Sequence, residues 1–543
     1  MKKKLVKLLA LALSACTCLS VTACGEKETT SNATDALDIY TLYKGYGDDW
    51  ITSTIELFKQ QDWVKEKYPN LKISYETDAQ EVRANQLISD GASVNSFDLL
   101  FGVNLKGYET TGLIADLTDS VYLADVPGET GKKVIDKIPQ SVLEQMYNVT
   151  APSRTDGNKS YYGINYVDGF FGMLYNHDLL VDTLKMEIPV TTNEFLATAA
   201  NIKTTKYDSH AGADQDTVVL NCANNDYWKA AFRMWWIQYE GLSAYEDYYD
   251  GYDTVEATSD SKAVLGQTGR LRSLEVMEDI LTQYQYSQSQ NVDYKQAQSR
   301  FLDGIGIFHF NGDYFSTEMK MELDYLESEG TRYDIRYMKM PVISSIVETL
   351  EDKSMSDETL ASIIREIDND VTYEDSTAKT NGVSDADFAK IAAARCIAGN
   401  AMASGQVAVV PSYSPAKDLA ADFLRFMYTD VAIRNFTLAS GISFPTTYDL
   451  KADTELYNSI DPIQQSKLAI TAGTSNYPYT MLPAGSSLRL GTAGLSDIYF
   501  SGKFEVNFAQ AANNRLTAAK ILEEEEKYWN DTRWSQMVVS ALW

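Results

Sequence analysis

Histidine occurs three times in these 543 residues and cysteine five times. His177, His210 and His309 lie far apart, and none sits in a His-Glu-x-x-His pair of metal ligands, so each is read as a surface or hydrogen-bonded structural residue. No Gly-x-Ser-x-Gly turn and no Gly-x-x-x-x-Gly-Lys loop is present, which removes the usual signatures of activated-serine and nucleotide-phosphate chemistry. Paired carboxylates for glycoside chemistry carry no information among 76 acidic residues, because abundance alone creates pairs. Lysine and arginine are scarce by comparison, 47 in all, for a formal charge of −29. That balance disfavours nucleic acid and anionic membrane surfaces, both of which need clustered cations. Beyond the N-terminus no stretch approaches the ~18 apolar residues needed to span a bilayer.

The N-terminus itself is of a different kind. Lys2, Lys3, Lys4 and Lys7 precede an apolar run from Leu5 to Leu19, and Val21-Thr22-Ala23-Cys24 then offers a small-residue boundary ending in cysteine. This is the pattern of a lipoprotein export signal, with residues 1–23 removed and Cys24 becoming the lipid-bearing first residue. Each buried methylene contributes about 0.8 kcal/mol, so two or more acyl chains hold such a protein at a membrane surface. Cleavage takes away four lysines and leaves 43 basic against 76 acidic side chains, a charge of −33 on 520 residues. Residues 24–36 lack any apolar period and read as a flexible tether. Cys16 and Cys18 fall in the signal, so only Cys222 and Cys396 remain in the mature body, too few for a disulfide framework or a metal cluster.

Past the tether, strand and helix periods alternate. Leu37, Ile39 and Thr41 give a strand, Ile51, Ile55 and Phe58 a helix, Leu71, Ile73 and Tyr75 a second strand, Val82 to Ile88 a helix, and Phe97 to Phe101 a short buried run. That succession predicts an α/β body built on a parallel sheet. Thr191 and Glu194 form a capping box ahead of a helix through Phe195 and Ala199. Leu419, Phe423 and Met427 mark another helix, and a last one at about 509–529 carries Glu523 to Glu526, read as a solvated face. Residues 346–403 are polar and charged and look like an insertion. Asp368, Asp370, Glu374 and Asp375 within it are a candidate calcium set, but their spacing matches no EF-hand loop and a solvated loop is expected.

Several segments, in this order, resemble the family 1 extracellular solute-binding proteins, the maltose-binding-like receptors of ABC importers. Gly112 to Thr118 is similar to the family's G-L-L-x-D-L-T. Tyr162-Gly163-Ile164-Asn165 and Tyr175 to Leu179 are similar to its Y-x-I-P and Y-N-K-D-L, and Thr191 to Phe195 to its T-W-D-E-F. Gly304 to Ile307 with Asn311 to Tyr314, then Ala416 to Met427 with Gly441 to Pro445, complete the set. Asn165 stands where the family has proline and Tyr314 where it commonly has tryptophan. The resemblance implies a two-lobe, periplasmic-binding-protein-like α/β fold of type II, with hinge-linked lobes and a central cleft. It places lobe 1 at 37–164 and 342–410, including the 346–403 insertion, and lobe 2 at 165–341 and 411–543. Crossings are then expected near 164–167, 339–343 and 409–412. Cys222 and Cys396 would sit in different lobes, where a disulfide would staple the hinge, so both are expected as free thiols.

By that resemblance the chain is a lipid-anchored, extracytoplasmic receptor and a monomer. It captures a carbohydrate, an oligosaccharide, and delivers it to the permease subunits of an ABC importer, without enzymatic activity, cofactor or metal. The alternatives are a receptor for another polar solute, such as a polyol, glycerol phosphate or peptide, and a cell-surface glycoside hydrolase or lyase. A sugar offers apolar C–H faces and a polar rim, so its site needs aromatic plates edged by amides or carboxylates. Tyr43, Tyr46 and Asp48 qualify in the loop after the first strand; Asn225, Tyr227 and Trp228 combine plate and rim; Asn165 and Asp168 lie at the first crossing; Asn311, Asp313 and Tyr314 match the family's cleft segment. Trp235 and Trp236 are assigned to the core.

Overall fold

The computed structural model describes residues 35–541, apart from 44, 46, 79–80, 106, 109–110, 147–159, 168, 213, 222–225, 401–405, 483–487 and 500–515. Residues 1–34, which hold the expected signal, Cys24 and most of the expected tether, together with Tyr46, Asp168, Asn225 and Cys222, therefore lie outside the described residues. Two sheets are built from β1 (Ala36–Leu42), β2 (Lys72–Asp78), β3 (Leu99–Val103), β4 (Ile164–Asn165), β5 (Phe170–Asn176), β6 (Val219–Leu220), β7 (Phe308–Gly312), β8 (Ile335–Met338), β9 (Ile397–Asn400), β10 (Val407–Val409) and β11 (Thr480–Met481). The first sheet runs β2-β1-β3-β10-β4, and the second β11-β9-β5-β7-β6 with β8 also on β5. Parallel pairing holds from β2 through β3, as the alternation predicts, but β10 enters antiparallel to both β3 and β4. In the second sheet β5 is antiparallel to β7, β8 and β9.

Ten helices concern the argument: α1 (Asp49–Gln60), α2 (Thr192–Thr205), α3 (Asp226–Glu240), α4 (Phe315–Glu318), α5 (Lys320–Glu329), α6 (Asp357–Asp368), α7 (Asp385–Arg395), α8 (Lys417–Phe426), α9 (Asp430–Ser440) and α10 (Pro462–Thr471). Each sheet has its own apolar core. In the first, Trp50 of α1 stacks on Tyr166 at 5.5 Å and meets Phe101 of β3 and Phe436 of α9 edge-on. Phe58 packs on Phe423 and Phe426 of α8 at 5.2 and 5.4 Å. In the second, Trp235 and Trp236 of α3 are both fully buried, as expected of adjacent tryptophans in a helix enclosed on several sides. Among the described residues, no helix is long and apolar enough to cross a membrane.

The structure redraws the lobe boundaries. Helices α8 and α9 belong to the first core, although the boundary at 411 had put them in lobe 2. The supposed insertion joins the second core: Leu360, Ile363, Ile364 and Ile367 recur at helical spacing on α6 and bury beside Phe388 and Ile391 of α7. Their charged outer faces hid that period from a composition reading. Met340, Val342 and Ile343 are likewise interior to the second core, so the crossing expected at 339–343 is absent. The chain instead passes between the cores from β4 to β5, from β9 to β10, and again at α10, where Ile463 faces the second core and Leu468 the first.

Local chemistry resolves several further expectations. Thr191 caps α2 by accepting from the Glu194 N–H at 3.1 Å, while Glu194 reaches back to the Val190 N–H at 2.9 Å. Asp368 is gripped by Arg395 and Lys339, Glu374 by Lys379, and Asp375 by Thr372. The acidic run near the C-terminus is not uniformly solvated: Glu525 is buried and pairs with the buried Arg270 at 2.6 Å. Cys396 is a free thiol just ahead of β9, beside Phe170 and Met338 of the second core and not in lobe 1 as expected.

Candidate functional site

A cavity of about 1640 Å³ is walled from the first core by the loop after β1, the start of α1 and one face of α9, and from the second by α4, α5 and Tyr227. It exceeds the roughly 300–1,000 Å³ of ordinary small-ligand pockets. The position follows from topology, since open α/β sheets present ligands to the loops at the carboxyl ends of their strands. Tyr43 follows β1 directly, its N–H donating to the Asp78 carbonyl at 2.7 Å, and the residue is 56% exposed. Gly45 lies so close to the opposite wall that a Cβ would meet Glu318 Oε1 at 2.7 Å and Tyr314 Cβ at 2.9 Å. Asp48 precedes α1 without using its carboxylate as a cap, which leaves that group to the cavity.

Across the gap, Tyr227 at the head of α3 and Tyr314 ahead of α4 set their rings 6.4 Å apart, tilted by 53°. Gly312 makes room for this, because a side chain there would run into the Tyr314 ring. Burial, the neighbouring Tyr227 and nearby acids push the Tyr314 hydroxyl well above its ordinary value, so it remains a neutral donor. Glu318, one turn on, accepts from Gln298 Nε2 at 2.6 Å. Burial raises its carboxyl, opposed by the Gln298 bond and the charge of Lys295.

Four sequence candidates thus meet on this cavity: Tyr43, Asp48, Tyr227 and Tyr314. Four others do not line it. Trp228 is fully buried in the second core, because the turn of α3 that aims Tyr227 outward aims its neighbour inward. Asn165 belongs to β4 and its side-chain oxygen accepts from the Val167 N–H at 3.2 Å. Asn311 bonds internally: the Leu220 carbonyl only accepts, so His309 carries its proton on Nδ1 and Nε2 takes the Asn311 amide at 3.0 Å. Its Oδ1 accepts from the Gly312 N–H at 2.8 Å. Asp313 is buried in an ion pair with Lys467 at 2.7 Å, and Lys467 also donates to Ser443 at 2.9 Å. Polar sequence pattern alone does not separate such groups from a solvated rim.

Residues that the sequence reading missed also line the cavity, among them Tyr294, Lys295, Glu318, Asn435 and Gln464. Glu318 had a signal, its spacing of four from Tyr314; Asn435 and Gln464 had none, since only the folded chain brings them there. The nearest approach to a metal-ligand set among the described residues is His177, Asp178 and Asp182, whose ligand atoms fall within 4.8 Å of one another, and they do not line this cavity.

No family model matches the chain, and no curated protein matches it. Solved structures do. A chitin oligosaccharide binding protein superposes with a TM-score of 0.57 at 14% identity, over 92% of this chain and 99% of its own. A family 1 extracellular solute-binding protein from Bifidobacterium longum subsp. infantis gives 0.52 at 14%, over 91% and 98%. The GacH receptor of Streptomyces glaucescens, solved unliganded and with acarbose, gives 0.52 at 13%, over 91% and 98%. This chain has the two-lobe fold of the family 1 extracellular solute-binding proteins. The solute-binding fold accounts for the repeated passage of the chain between two cores and for a wide cavity walled by both.

Proposed function

We propose that the chain is a lipid-anchored receptor that captures a carbohydrate, an oligosaccharide, outside the cell and passes it unaltered to the permease subunits of an ABC importer. The observation that carries this reading is the cavity, in which Tyr43, Tyr227, Tyr294 and Tyr314 supply flat faces and Asp48, Asn435 and Gln464 supply polar edges from both lobes. A solute touching both walls favours the closed arrangement, because only there does it make all its contacts. Cys24 carries the anchor, and the protein works as a monomer that performs no chemistry.

The test is a thermal-shift screen of mono- and oligosaccharides on the mature protein, followed by calorimetry and product analysis of any hit. A ligand at about 100 times its Kd adds about 2.7 kcal/mol of stability, well within reach of such a screen. Stoichiometric binding with the sugar recovered intact is expected. Release of sugar fragments would identify a hydrolase or lyase, and silence across all saccharides would remove carbohydrate from the proposal.

A further inference from the structure

The side-chain amides of Asn435 and Gln464 are fixed on this cavity with their nitrogens turned inward. On the first wall, Asn435 of α9 donates from Nδ2 to Ser53 Oγ at 2.9 Å and to Thr54 Oγ1 at 3.3 Å. Neither hydroxyl can return the bond, since Ser53 gives its hydrogen to the Asp49 carbonyl at 2.7 Å and Thr54 to the Trp50 carbonyl at 2.6 Å. On the other wall, the buried Gln464 of α10 donates from Nε2 to the Asp313 carbonyl at 2.6 Å and to Ser316 Oγ at 2.7 Å. A carbonyl only accepts, so this amide cannot be turned the other way. Asn435 Oδ1 and Gln464 Oε1 accept from no described residue and are not sealed in the core, which leaves both oxygens to the cavity. Hydroxyls around them are committed in the same sense: Thr317, Thr437 and Ser459 line the cavity but donate to the backbone carbonyls of Ser440, Ile433 and Leu456 at 2.7, 3.0 and 2.8 Å. Donors to a guest remain at Lys295, Ser316 and the tyrosine hydroxyls.

Resting on the carbohydrate reading above, we infer that Asn435 and Gln464 determine specificity by accepting from free hydroxyls at two points of the sugar, one at each wall, and that the ligand is a glycan unsubstituted at those points. A hydroxyl meets each oxygen with an O–H. An ether, ester, carboxylate or phosphate in the same place brings only lone pairs, and closure then buries acceptor against acceptor, which costs more than a bond not formed. Sites built to bond a substrate O–H reject the analogue lacking it far more strongly than an apolar pocket rejects a missing methylene. The inward bonds of the nitrogens supply this selectivity. An amide free to turn would offer an N–H to such a group, whereas each of these would have to abandon two internal bonds to do so. Because the two acceptors sit on facing walls, a glycan that donates to both also favours the closed arrangement.

The experiment takes the tightest binder of the saccharide screen, with maltotriose, xylotriose and chitotriose as the first panel, and replaces each hydroxyl in turn by fluorine, which keeps the size and loses the donor. Calorimetry on the mature protein is expected to show positions at which fluorine lowers affinity by about 10- to 100-fold. Asn435→Leu abolishes the penalty at one of them and Gln464→Leu at another, with unfolding midpoints checked against wild type. Asn435→Asp, which keeps an oxygen toward the cavity, retains the penalty that Asn435→Leu loses. If fluorine is tolerated at every position, or if Asn435→Leu leaves every penalty unchanged, the inference is overturned while the carbohydrate reading stands. Silence across every saccharide of the screen overturns both.

Discussion

Tyr227 and Trp228 are neighbours in sequence with opposite duties. Tyr227 lines the cavity and meets Tyr314, whereas Trp228 is wholly enclosed. Tyr314→Ala and Tyr227→Ala are therefore expected to weaken ligand binding by about 1 to 3 kcal/mol with the fold intact, as measured by calorimetry. Trp228→Ala should cost about 3 to 5 kcal/mol of stability instead, visible in denaturant unfolding. His309 supplies a pH test at the same scale. Burial holds its imidazole down at about 4 against an ordinary 6.5, and both ring nitrogens are satisfied only in the neutral form. Below about pH 6.5 the unfolded chain takes up a proton that the folded one refuses, so stability is full above that pH and declines toward pH 4. The unfolding midpoint of wild type should drop more between pH 7 and 4.5 than that of His309→Gln; parallel curves would assign the loss to other groups.

At the scale of elements, the start of α2 was legible in the chain because a cap is a local device. Thr191 and Glu194 stand three residues apart and bond where that spacing says they should, although Glu194 chooses the Val190 N–H. Thr191→Ala should lower stability by about 1 kcal/mol, and more if the bond from its hydroxyl to Asp357 at 2.8 Å is also counted. Helix α6 was harder to see. Its apolar stripe is regular, but polar and charged residues fill the other faces and pulled the whole stretch toward an insertion. Asp368 at its end shows the electrostatics of that face: burial alone would raise its carboxyl, yet Arg395 and Lys339 overcome this and hold it below its usual value. Its contribution is present above the ordinary carboxylate range and is lost as pH falls from there through the lowered folded value. Acid unfolding of Arg395→Met should accordingly begin at higher pH than that of wild type.

Over the whole molecule, α10 is where the two cores are tied. Lys467 reaches from it to Asp313 of the second core and to Ser443 of the first, with all three buried. Lys467→Met strands the Asp313 charge and should destabilise the protein by about 3 to 5 kcal/mol, measured by urea unfolding. Replacing both partners by apolar residues should recover much of that loss, since no unpaired charge then remains. A nearby bond has Thr317 donating to the Ser440 carbonyl at 2.7 Å, so the lobes meet along this edge by several polar contacts as well as by chain connection.

Strand and helix periods, helix caps and the order of family-like segments could all be read from the sequence, because each depends on residues close together in the chain. Which core a helix joins, and whether Asp313 faces an ion partner or Asp48 faces open space, was settled only in three dimensions. Burial is the reason. It is set by partners hundreds of positions away, and the same aspartate is a structural counterion beside Lys467 or a free acceptor at the cavity wall according to what the rest of the chain brings to it.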